Sequence, residues 1–133
     1  MNKNLAKTLL DIALNSPQKV AIVIAQAGKE DVAVTFQSLY ENASRYATFY
    51  YENGIRKGDI LLLLLDHGID LVFIYWGAIL AGAIPSIQPY LTEKLQPEVF
   101  VKELEALIEF TKPKLIITYD QFNDEILVVS HNG

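Results

Sequence analysis

The hydrophobic and polar positions change period several times along the chain, and each change marks an element. In "NLAKTLLDIALNSP" the apolar residues Leu5, Leu9, Ile12 and Ala13 share one helical face, and Pro17 ends the helix. "VAIVIA" (Val20–Ala25) is a β-rich apolar run, "QAGKED" a polar turn, and "VAVTF" a second short strand, so a hairpin is expected. From Thr35, which suits an N-cap, the stripe Phe36, Leu39, Tyr40, Ala43, Tyr46, Ala47 and Tyr50 repeats every three or four residues, as in an amphipathic helix. Gly54 fits the position just past its end, and Ile55 supplies the apolar residue that often follows.

"RKGD" then reads as a tight turn. "ILLLLL" (Ile60–Leu65) has no polar alternation, which marks a strand covered on both faces. From Leu71 to Ile84 run fourteen residues without a charged side chain, ending in "YWGAILAGAIP". "AIPSIQ" is a further short strand, with Pro85 at an edge or end position. Pro97 sits near a helix start whose buried face is Val101, Leu104, Leu107 and Ile108, with Glu98 and Lys102 on the wet face, and Pro113 stops it. "KLIITY" (Lys114–Tyr119) and "ILVVS" (Ile126–Ser130) read as two more buried strands. Helices alternating with continuous apolar strands predict an α/β fold: a mostly parallel sheet with helices on both faces, in one domain over residues 1–133.

Composition narrows the function classes. Net charge is −5 and the eleven Lys and Arg are scattered, which argues against nucleic acid and against an anionic membrane surface. The absence of cysteine removes disulfides, thiol catalysis and Cys-based metal sites, and accords with a cytoplasmic location. Asp11 interrupts the N-terminal apolar residues, so a signal peptide is not expected. The fourteen-residue run is shorter than the roughly 20 apolar residues a membrane span requires. The sequon Asn42–Ser44 falls in mid-helix and reads as chance.

Candidate chemistry is sparse. Gly77 and Gly82 stand at phosphate-loop spacing, but Ala83 and Ile84 follow where Lys and Ser or Thr are needed, and "AILA" between them suits a helix; helix–sheet packing is the expected role. Asp66 and Asp120 follow buried strands, where they could hold magnesium or, more ordinarily, cap the next helices. His67 and His131 have neither metal-pair nor triad spacing and read as solvated loop residues. Tyr40, Tyr46, Tyr50 and Tyr51 could stack on a ligand ring, but their spacing favours core positions with hydroxyls reaching the surface. No residue is assigned as catalytic, cofactor-binding or metal-ligating.

The order of elements and residues together resembles the N-terminal part of the adenylate-forming (AMP-binding) superfamily: acyl-CoA synthetases, fatty acyl-AMP ligases and peptide-synthetase adenylation domains. Gly54, Ile55, Gly58, Asp59, Gly77, Ala78, Ala81, Gly82, Ala83 and Pro85 sit at or near the positions that pattern expects, and "PKLIITYDQF" resembles the strand that follows. The resemblance runs from about Leu5 to Phe122. Asp66-His67-Gly68 replaces the family's usual Asn or Pro-Asn, and the long connection after Pro85 is more like the fatty acyl-AMP ligase side. Family membership implies a whole enzyme that activates a carboxylate with ATP and magnesium, then transfers the acyl group to coenzyme A or a carrier-protein thiol. Its phosphate loop, nucleotide-binding motifs and catalytic lysine belong to later parts of the family's sequence and fall on no residue here. The chain is therefore expected to be a structural, inactive piece whose partner is the remainder of that enzyme, with self-association through uncovered edges and faces. The competing readings are a stand-alone interaction or split-enzyme module, and a flavodoxin- or receiver-like ligand domain.

Overall fold

The computed structural model describes residues 5–25, 28–65, 68–88, 97–119 and 126–130. Helix α1 (Leu5–Asn15) precedes strands β1 (Val20–Ile24) and β2 (Val32–Thr35), which pair antiparallel in the expected hairpin. Helix α2 (Phe36–Glu52), β3 (Ile60–Leu64), α3 (Ile69–Ala81) and β4 (Ile84–Gln88) follow. Helix α4 (Pro97–Thr111), β5 (Leu115–Tyr119) and β6 (Ile126–Ser130) complete the order.

Local chemistry sets the helix ends. Thr35 has extended backbone and its Oγ1 accepts the Ser38 N–H at 3.1 Å, so it caps α2 as its sequence context predicts. At the other end Gly54 takes a left-handed φ of 88°. The Ile55 N–H donates to the Tyr50 carbonyl at 3.0 Å and the Gly54 N–H to the Tyr51 carbonyl at 3.1 Å, a Schellman closure that swings Ile55 into the core. Gly82 ends α3 in the same left-handed region, turning the chain directly into β4.

The main sheet has strand order β4-β3-β5-β6. Strands β4, β3 and β5 are parallel, whereas β6 runs antiparallel to β5. Only residues 120–125 separate β5 from β6, too few for the dozen or more that a parallel crossover needs, so the chain must fold back. Alternate residues of β3 face opposite layers. Leu61, Leu63 and Leu65 join Leu115 and Ile117 against Tyr50, Leu71, Ile74 and Ala78 of α2 and α3. Leu62, Leu64 and Ile116 meet Leu104, Leu107 and Ile108 of α4. Helices thus cover both faces. The side chain of Val101, assigned by its spacing to the α4 contact, lies outside the described residues.

A third cluster explains the long apolar run. Leu9 of α1, Val34 of β2 and Leu39 of α2 form its centre, with Ile69, Val72, Phe73, Trp76 and Leu80 of α3 packed around them. Helix α3 is therefore apolar on all sides because the sheet, α2, α1 and the hairpin enclose it. Leu5 lies on the buried face of α1 but at its first residue, and stays half exposed. No helix among the described residues is long and apolar enough to cross a membrane.

Candidate functional site

The turn Arg56–Asp59 sits at the amino ends of the parallel strands. Its Asp59 N–H donates to the Arg56 carbonyl at 3.0 Å, and the Arg56 N–H donates back to Asp59 Oδ2 at 2.6 Å. Neighbouring strands hang on the same residues. The Gly58 N–H donates to the Gly82 carbonyl at 2.9 Å, and the Ile84 N–H to the Asp59 carbonyl at 2.7 Å. On the other side the Lys114 N–H donates to the Ile60 carbonyl at 2.7 Å, while Lys114 Nζ stands 3.6 Å from Asp59 Oδ2. Gly58-Asp59 is thus a clasp joining β3 to β4 and β5. The ion pair is part-exposed and contributes about 0–1 kcal/mol, so the backbone bonds dominate. A cleft of about 940 Å³ opens beside the clasp, lined by Asp59, Lys114, Glu105, Glu109 and Lys112 among others. It holds carboxylates and ammonium groups but no pairing of a nucleophile with a base.

The carboxyl ends of the strands are where open α/β sheets receive ligands. Asp66, His67 and Asp120, which the sequence places there, and His131 near the C-terminus all lie outside the described residues. The N-cap of α3 is Gly68, which offers no side-chain acceptor, so the capping position expected for Asp66 falls two residues later. Thr118 Oγ1 donates to the Leu64 carbonyl at 3.1 Å, bridging β5 to β3 at this edge. No group of three or more His, Asp or Glu among the described residues could hold a metal ion.

Gly77 and Gly82 do not form an anion cradle. A Cβ on Gly77 would lie 2.5 Å from Tyr46 Cβ and 2.9 Å from the Ala43 carbonyl oxygen. The missing side chain therefore lets α3 approach α2, not the sheet as its spacing suggested; Ala78, one residue on, faces the sheet cluster. The Gly82 N–H is already bonded to the Ile79 carbonyl at 3.1 Å. Among the described residues, then, neither glycine has the free amide that a nucleotide phosphate would take.

The tyrosines also have local partners. Tyr50 is fully buried, and its hydroxyl donates to the Ile74 carbonyl at 3.0 Å instead of reaching the surface. Burial pushes its phenol pKa far up, with Tyr46 adding to the effect, and burial followed by the Asp70 charge raises that of Tyr46. Tyr51 is exposed, with the Arg56 guanidinium carbon 3.9 Å from its ring centre. The burial of Tyr50 has a sequence signal, its place in the apolar stripe, whereas the partner of its hydroxyl on α3 has none. The Asp59–Lys114 pairing has none, because the two residues meet only through the sheet.

Residues 10–132 match the family model described as AMP-binding enzyme. The chain is 29% identical over 115 residues to 4-coumarate–CoA ligase 3 of Arabidopsis thaliana, covering 86% of this chain and 18% of that protein. It is 32% identical over 120 residues to a long-chain-fatty-acid–CoA ligase of Bacillus subtilis (strain 168), covering 90% of this chain and 19% of that one. Its fold matches part of a fatty acyl-adenylate ligase from L. pneumophila, solved with acyl adenylate and pyrophosphate. The TM-score there is 0.77 at 23% identity, over 88% of this chain and 20% of that chain. The chain thus spans less than a fifth of the length of the two sequence relatives.

Proposed function

The chain belongs to the AMP-binding enzyme family, and we propose that it serves as the N-terminal structural segment of an ATP-dependent, AMP-forming acid–thiol ligase. The observation that carries this is the family match over residues 10–132 by a chain spanning less than a fifth of its ligase relatives. The whole enzyme would use ATP and magnesium to convert a fatty or other carboxylic acid to an acyl adenylate. It would then pass the acyl group to coenzyme A or to a carrier-protein thiol. The segment's contribution is a packed sheet and helix frame on which the remainder of the enzyme docks, and it is inactive by itself. The location is cytoplasmic, in keeping with the absence of cysteine.

The test is ATP–pyrophosphate exchange by the purified chain with a panel of fatty and aromatic acids. No exchange above the protein-free control is expected, because no described residue is arranged to neutralise a triphosphate. Acid-dependent exchange would contradict the structural reading.

A further inference from the structure

Strand β4 is one edge of the main sheet, bonded on one side to β3 and, among the described residues, open on the other. Which of its backbone groups face outward follows from two observations. The Ile84 N–H donates to the Asp59 carbonyl of the β3 side, and the parallel register pairs Ile60 with Ile84 and Leu61 with Pro85. In a parallel pair, alternate residues direct both N–H and C=O to the same neighbour. Ile84, Ser86 and Gln88 therefore spend their backbone groups on β3, while positions 85 and 87 point theirs away from the sheet. Position 85 is proline and has no N–H to offer. Ile87 is the single outward amide donor within β4.

We infer that Pro85 closes the β4 edge against strand addition by a second copy of this chain. The edge otherwise invites it. Ile84 and Ile87 are 51% and 45% exposed, the strand carries no charge, and it lies in register with one of the most deeply buried strands of the fold. An exposed, uncharged, apolar edge of this kind is an association site unless its donors are removed. Pro85 removes one without disturbing the inner ladder, since its nitrogen faces away from β3.

Two measurements test this. Pro85→Thr restores the outward N–H and keeps a strand-favouring residue, and Ser86→Thr is the control, adding a β-branched residue whose amide faces β3. At matched concentration, Pro85→Thr is expected to shift the light-scattering mass at least two-fold above both the parent chain and Ser86→Thr. A Pro85→Thr mass equal to theirs overturns the inference. Should Pro85→Thr fail to fold, amide exchange of the parent chain decides. The Ile87 amide is expected to exchange far faster than those of Ile84 and Ser86, and equal protection of all three overturns the outward assignment.

Discussion

At the scale of single residues, the tyrosine pattern shows how a candidate binding feature becomes a structural one. Tyr50 fills the space between α2, α3 and the sheet, and its hydroxyl is bonded to a helix carbonyl on α3. Tyr50→Phe keeps the ring and removes the bond, so it should cost about 0.5–1.5 kcal/mol in urea denaturation. The ionised phenolate is disfavoured in the folded state, so the folded pKa lies above the unfolded one. Stability from this group is complete below the unfolded phenol pKa of about 10 and is lost as pH rises above it. Alkaline unfolding followed by circular dichroism should therefore begin near that pH, and Tyr50→Phe should blunt it; an unchanged alkaline profile would contradict the assignment. The sequence showed that Tyr50 is a stripe residue, but not that its hydroxyl would be satisfied inside, because the acceptor is twenty-four residues away on another helix.

At the scale of elements, the period changes made most of the fold legible. The unalternating Ile60–Leu65 run demanded a strand covered on both faces, and β3 is that strand, with α2 and α3 on one side and α4 on the other. The capping signals at Thr35 and Gly54 are strictly local, and both are observed. Two features escaped because they are not local. Strand direction is not encoded in an apolar run, and β6 turned out antiparallel; the short connector at 120–125 was the available signal. Spacing also assigned Gly77 to the helix–sheet contact, whereas its neighbour is α2. Gly77→Ala gains about 1 kcal/mol in helix propensity. Yet its Cβ would meet the Tyr46 Cβ and a backbone oxygen, neither of which can swing aside, so a net loss of about 1–3 kcal/mol is expected. A chemical-denaturation midpoint at or above that of the parent would show that α2 and α3 are not in close contact there.

At the scale of the whole molecule, the described surface keeps large apolar residues uncovered in places remote from one another. Phe110 of α4 is 87% exposed and Leu14 of α1 is 71% exposed. Exposed apolar side chains of this size favour association. A light-scattering mass above the monomer, with apolar-dye binding, is the expected outcome for the purified chain, and a monomer without dye binding would contradict it. That association should run through these side chains and not through the β4 edge. What the sequence left illegible is the candidate site itself. The residues that carry the family pattern, Gly58, Asp59, Gly77 and Gly82, are occupied in clasping strands, closing a helix and letting two helices touch. The pattern therefore marks the AMP-binding enzyme family through its frame.

The most direct test of this account is a nitrogen–proton correlation spectrum of the labelled chain titrated with ATP and magnesium to millimolar concentration. The frame reading predicts no saturable shift at the amides of Gly58, Asp59, Gly77 and Gly82. Saturable, mutually consistent shifts at those four amides would show that the glycine pattern is a nucleotide site after all.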